Sequence, residues 1–96
     1  MNHAICLVKV IKKPVELIYN ENRAIEVGVQ FPGPLKKTLV NEMSLILWGE
    51  YREDFLNYYK IQDYLIIEGI ITSKASKTDE SIVKIIAQRI YPFLLY

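Results

Sequence analysis

Residues 47–69 read LWGEYREDFLNYYKIQDYLIIEG, and the change of period inside this stretch decides the fold. Up to Trp48 the chain alternates, with Leu39, Asn41, Met43, Leu45 and Leu47 in one set and Val40, Glu42, Ser44, Ile46 and Trp48 in the other. A period of two belongs to a strand. The first set is the expected core. The second is the face turned to water or to a ligand, and it carries two large apolar groups, Ile46 and Trp48. From Glu50 to Lys60 the period becomes helical: Tyr51, Phe55, Tyr58 and Tyr59 recur at helix spacing, with Glu50, Glu53 and Asp54 early and Lys60 late, in keeping with the helix macrodipole. Tyr64 to Ser73 then returns to an Ile-rich, strand-like run. A strand, a short amphipathic helix packed mainly into the core, and a second strand are expected.

Working outward, Ala4 to Ile11 is nearly continuous apolar residue interrupted by Cys6 and Lys9, the pattern of a strand covered on both faces. One face should meet the core and the other a partner. After Lys12-Lys13-Pro14 and the polar Asn20-Glu21-Asn22, the next strand alternates Ile25, Val27, Val29 and Phe31 with Glu26, Gly28 and Gln30. Phe31-Pro32-Gly33-Pro34 stops it, since proline gives a ladder no donor and glycine permits a reversal. Ser81 to Tyr91 is a last strand-like run, joined to its predecessor by the polar residues Lys74 to Glu80. The expected fold class is all-β, an OB-fold: a five-stranded Greek-key β-barrel with one α-helix between strands 3 and 4.

The chain has 96 residues, room for one domain over 1–96 and one core. Apolar residues make up 51% and charged residues 24%, with a mean hydropathy of +0.11, so the chain should fold. That much apolar residue exceeds what so small an interior can hide, and oligomerisation or a place in a larger assembly is expected. Twelve Lys and Arg against eleven Asp and Glu give a net charge of +1, so any attraction to a polyanion must come from a local patch. The single Cys6 forms no internal disulfide and suits a reducing compartment. No secretory leader or run of membrane-spanning length is visible. The expected protein is soluble, cytoplasmic or in a plastid stroma.

The residues from Trp48 to Gly69 resemble the single-stranded DNA-binding proteins (SSB) of bacteria and organelles. Leu47-Trp48-Gly49 is similar to that family's Leu-aromatic-Gly, Glu53 falls at its glutamate, Tyr58 at its tyrosine, Lys60 at its lysine, Asp63 near its turn and Ile67-Glu68-Gly69 at its Ile-Glu-Gly, without a gap. Pro14, Glu16-Leu17 and Tyr19 resemble its Pro-Glu-Leu-Arg-Tyr, Ala24-Ile25 its Ala-Val, and Ile86-Ala87-Gln88-Arg89-Ile90 its Val-Ala-Asn-Arg-Ile. Short SSB-like reading frames of cyanobacteria and algal plastids look most like it. The resemblance implies non-sequence-specific binding of single-stranded DNA or RNA, by bases stacked on barrel aromatics and phosphates steered by Lys and Arg. It also implies homo-oligomers.

On that basis the candidate nucleic-acid contacts are Trp48, Phe31, Lys36, Lys37, Lys74 and Lys77. Trp48 falls at a stacking position. Glu42 and Ser76 replace aromatics at two others, where a carboxylate would repel phosphate and a serine offers no ring. The loop after the second strand is shorter than in the family, and Phe31 is the candidate substitute there. The chain stops at Tyr96 on an apolar end, Tyr91-Pro92-Phe93-Leu94-Leu95-Tyr96, in place of the family's acidic tail that recruits replication enzymes. That recruitment is expected to be absent or done differently.

Each reading has a plainer rival. Trp48 reads as a base-stacking platform or as a partly buried aromatic shielding the helix start. Lys12, Lys13, Lys36, Lys37, Lys74 and Lys77 read as a phosphate track or, more commonly, as solvated loop lysines. His3 has no companion ligands at metal spacing, no catalytic constellation can be assembled, and neither cofactor nor enzyme activity is expected. The rival function is an SSB-like barrel that has lost most nucleic-acid binding and serves as a structural or assembly subunit, docked by the first strand, the aromatic face and the C-terminal end.

Overall fold

The computed structural model describes residues 3–31, 42–75 and 81–93, with the backbone alone at 73–75 and 81–82. The Pro32–Pro34 turn, Lys36, Lys37, the start of the third predicted strand, Ser76, Lys77 and the end after Phe93 lie outside the described residues.

Six strands and one helix follow in the order β1 Ala4–Val10, β2 Val15–Tyr19, β3 Asn22–Gln30, β4 Glu42–Trp48, α1 Gly49–Tyr58, β5 Tyr64–Ala75 and β6 Ser81–Phe93. Five close into a barrel. Strand β1 pairs antiparallel with β5, β5 with β6, β6 in parallel with β4, β4 with β3, and β3 returns to β1 through Lys9 opposite Gln30 and Val10 opposite Val29. This is the OB-type barrel expected from the sequence, with α1 between its third and fourth barrel strands. The sixth strand, β2, is an addition. It pairs only with β3, through a two-residue turn in which Asn20 and Glu21 have φ of 48° and 69°. Such turns need positive φ at both central residues and usually carry glycine second, so Asn20-Glu21 gave little warning of a hairpin.

Alternation fills the interior. Val8 and Val10 of β1, Ile25, Val27 and Val29 of β3, Met43, Leu45 and Leu47 of β4, Leu65 and Ile67 of β5 and Ile85 of β6 form one buried cluster, and Phe55 of α1 plugs it from the helix side. Ile46, read from parity as outward, is also buried. It lies between Glu26 and Ile86 in the ladders, and the Lys84–Glu26 ion pair at 3.6 Å joins the two strands flanking it.

Three of the four helix aromatics face the core, Phe55 within it and Tyr51 and Tyr59 packed against it, and the fourth does not. Arg52 and Phe55 are buried and Tyr59 stacks on Phe55 with ring centroids 5.5 Å apart, whereas Tyr58 stands in solvent. The covered stripe therefore runs 51, 52, 55, 59, with Arg52 in place of Tyr58. Another difference is at the C-terminal end, where Tyr91 to Phe93 continue β6 opposite Ile66 to Tyr64 and form no separate tail. Strand β6 pairs with β4 only over Lys84–Ile86, so at Pro92 it has one neighbour, an arrangement that tolerates proline. On β1, Cys6 packs against the core, and burial pushes its thiol pKa up, away from the thiolate that reacts. The opposite face of β1 is open at Ile5.

Two glycines bracket the stretch that decided the fold, each for its own reason. Gly49 takes φ of 56° to turn β4 into α1, a region in which a side chain costs about 1–2 kcal/mol. Gly69 sits at the β5 irregularity beside Glu68, and a Cβ there would lie 2.2 Å from the Ile86 carbonyl oxygen. Backbone cannot retreat as a side chain can. Gly69→Ala should therefore lower stability by about 1–3 kcal/mol and Gly49→Ala by about 1–2 kcal/mol in urea titrations; a Gly69→Ala protein with unchanged midpoint would contradict the close approach.

Candidate functional site

Trp48 ends β4 and is the cap residue of α1, with extended backbone at φ −116° and ψ 159°. Its neighbour Leu47 points into the core, so alternation puts the indole on the outer surface, where it is half-buried. The cover comes from β2. Tyr19 lies against Trp48 with ring centroids 5.7 Å apart and planes inclined at 47°, a tilted aromatic pair. Ala24, opposite Trp48 across the β3–β4 ladder, and Leu17, opposite Ala24, continue this face. The tight Asn20-Glu21 turn thus brings an exposed tyrosine to the tryptophan.

Beside the indole lies an open pocket of about 500 Å³ lined by Asn22, Arg23, Trp48, Gly49, Arg52 and Glu53. Its two guanidinium groups differ. Arg23 is exposed and has no ion-pair partner among the described residues. Arg52 is buried, ion-paired through Nη2 to Glu16 of β2 and at 3.4 Å through Nη1 to Glu53, while its Nε has no partner. Arg52 ties the helix to the added hairpin; Arg23 carries the free positive charge beside the ring. The first turn of α1 has no side-chain cap, so its N–H groups add positive potential nearby.

Of the six sequence candidates, Trp48 and Phe31 are not brought together. Phe31 is exposed just past β3, at the far end of the ladder from Trp48: Trp48 faces Ala24 and Glu42 faces Gln30, which puts about 20 Å between the two aromatics. Lys74 belongs to strand β5, not to a loop. Lys36, Lys37 and Lys77 lie outside the described residues. Tyr19, Arg23 and Arg52 were not among the candidates; the spacing 52, 55, 59 and the run Val15–Tyr19 before Asn20 were the available signals.

Glu42, expected to repel phosphate, is ion-paired to Lys12. The stem of Lys12 lies over Gly28, where a Cβ would come within 2.8 Å of it. The carboxylate is thereby neutralised locally, and Lys12 is withdrawn from any phosphate track. Several other outer-face polar side chains are also engaged. Lys84 meets Glu26, His3 meets Glu68 at 3.1 Å, Lys9 lies 5.8 Å from the Tyr64 ring centroid, and Arg89 is held charged chiefly by its hydrogen bond with Tyr91. Among the described residues no group of three His, Cys, Asp or Glu could hold a metal ion, and no helix is long and apolar enough to cross a membrane.

Comparison with known proteins agrees with the barrel. Over 106 aligned residues the chain is 30% identical to a Trieres chinensis protein named "Putative single-stranded DNA-binding protein ycf41", covering 99% of this chain and 91% of that one. Among solved structures, the SSB domain of a Synechococcus protein has a TM-score of 0.72 at 21% identity, covering 95% of this chain and 94% of that one. The second single-stranded DNA-binding protein of Mycobacterium smegmatis reaches 0.75 at 15% identity, over 97% of this chain and 87% of that one. The small single-stranded DNA-binding protein of Streptomyces coelicolor gives 0.75 at 10% identity, over 96% and 92% respectively. These three likenesses establish the fold. A scan against protein-family models finds no match.

The Arg52 link generates a stability prediction. Glu16 is about half exposed, so its loss should cost less than the roughly 3–5 kcal/mol of a fully buried pair broken on one side. Glu16→Ala should lower stability by about 1–2 kcal/mol, and adding Arg52→Met should recover most of that, because an apolar side chain leaves no uncompensated charge. A double-mutant cycle by urea unfolding reads both; coupling below about 0.3 kcal/mol would mean that the pair does not fasten the hairpin.

Proposed function

The chain belongs to the single-stranded DNA-binding protein family, and from that premise we propose that it binds single-stranded nucleic acid without sequence preference at the corner made by Trp48, Tyr19 and Arg23. One observation carries the reading: an outward indole stands against an exposed tyrosine, with a free guanidinium in the adjoining pocket. A base has a ring face to stack on, and the neighbouring phosphate has a cation within reach. Phe31, Lys36, Lys37, Lys74 and Lys77 are kept as contacts further along the strand.

Affinity on this reading is modest. Base stacking accounts for most of it, because Lys12 and Lys84 are ion-paired and the net charge is only +1. The single tryptophan makes the test direct. Oligo-dT at low salt should quench its fluorescence. With a labelled oligonucleotide, Trp48→Ala should lose about 1–3 kcal/mol of binding, and Arg23→Ala should reduce the salt slope by about one. Absence of quenching at low ionic strength would remove the proposal.

A second reading, assembly through the opposite side of the barrel, is favoured by one row of residues. Leu7, Ile66 and Tyr91 lie side by side across β1, β5 and β6 on the outer face, with Ile5 next to them at 69% exposed. An apolar row of that kind suits a second copy of the chain, so the single-strand-binding unit is proposed to be a homo-oligomer. Light scattering after size exclusion should give a multiple of the 11.2 kDa protomer mass, and Ile5→Lys should reduce it; a monomer at high micromolar concentration would contradict this second reading.

A further inference from the structure

Strand β2 is weakly supported for an element that carries half of an aromatic pair. It pairs with β3 alone, and Val15, Ile18 and Tyr19 are exposed, so packing does little to fix its angle against the other strands. A two-stranded hairpin left to itself is marginal. Outside the ladder with β3, its described side chains reach the rest of the barrel at Glu16 and at Tyr19.

These two holds act on opposite faces. Glu16 stands opposite Ile25, an interior residue, so by alternation it belongs to the inner face, where α1 packs and where its carboxylate meets the Arg52 guanidinium. Tyr19 has the other parity. It follows Leu17, whose ladder partner Ala24 stands opposite Trp48, and its ring lies 5.7 Å from the indole, centroid to centroid. A hairpin held on one face alone can roll about its long axis. Held on both, it keeps the tyrosine on the tryptophan.

The chemistry of Arg52 fits that use better than it fits stability or phosphate binding. Its side chain is buried beside Phe55, Nη2 and Nη1 meet Glu16 and Glu53, and Nε is buried with no partner among the described residues. An unsatisfied buried donor costs stability that an apolar side chain of similar size would not. Arg52 also lines the pocket beside Trp48, but it is buried there whereas Arg23 is exposed, and its two terminal nitrogens are already engaged.

We propose that Arg52 is a positioning residue of the single-strand site: through Glu16 it sets the angle of the β2–β3 hairpin, and that angle keeps Tyr19 against Trp48. This role rests on the reading that single strands bind at the Trp48 corner. Arg52 itself touches no nucleotide, so its whole effect on binding runs through Tyr19.

The test compares Glu16→Ala/Arg52→Met with Tyr19→Leu. The double variant should keep most of the stability of the unaltered chain, because it leaves no uncompensated charge. Even so, the NMR cross-peaks between the Tyr19 ring and the Trp48 indole in the free protein should weaken in it. With labelled oligo-dT, Glu16→Ala/Arg52→Met and Tyr19→Leu should each bind about fivefold more weakly, the low end of the worth of one stacked base. The salt slope should stay as it was, and combining all three substitutions should weaken binding no further than Tyr19→Leu alone. Undiminished cross-peaks in the double variant, unchanged affinity, a lowered salt slope, or a further loss on the Tyr19→Leu background would each overturn the proposal. The two readings fail separately. An unaltered chain that does not bind oligo-dT removes the single-strand site, whereas equal binding by the unaltered chain and the double variant removes the positioning role alone.

Discussion

Closure of the barrel hangs on a short seam. Only two residue pairs join β1 to β3, Lys9 with Gln30 and Val10 with Val29, yet without them the five strands would form an open, curved sheet with two unpaired edges. Neighbouring contacts reinforce the seam. The Ile11 and Lys12 N–H groups both donate to the Gly28 carbonyl, at 2.9 and 3.2 Å, and Val10 is held on its other side by the Gln62–Asp63 turn. Once the seam is shut, the inward residues of β1 and β3 face the same interior as Phe55, and the outward strand residues are left on the surface.

That outward surface divides into regions of different character. Around Trp48 it is aromatic, with one unengaged cation, Arg23. Along β1, β5 and β6 it is an apolar row. Between them, acids and bases largely cancel one another, as at Lys12–Glu42 and Lys84–Glu26. A chain with a net charge of +1 and two of its outer-face lysines ion-paired has little long-range pull on a polyanion. What it presents instead is the Tyr19–Trp48 aromatic pair, which the added hairpin completes by carrying Tyr19 onto the tryptophan.

Much of the fold was legible because the relevant signals are local. The period change at Trp48, the parity of Leu45 and Leu47, and the glycines at 49 and 69 are all written in consecutive residues. The helix face was misjudged at Tyr58 because an exposed tyrosine and a buried arginine reverse the usual preference, and only the partner Glu16, 36 residues away, makes Arg52 tolerable in the interior. Hairpin β2 was hidden by a turn lacking its usual glycine. The candidate site was legible at Trp48 alone. Tyr19 joins it through ladder register, which depends on pairing partners distant in sequence, Arg23 joins it through the pocket the two residues line, and Phe31 was grouped with Trp48 although the register separates them.

On the proposed function, single strands lie on the Tyr19–Trp48 corner of the barrel. Backbone and side-chain NMR shifts of the labelled chain, mapped while oligo-dT is added, test it most directly. The predicted result is perturbation concentrated at Tyr19, Arg23 and Trp48 with little change at Leu7, Ile66 and Tyr91. Perturbation confined to that apolar row, with the Trp48 indole resonance unmoved, would contradict it.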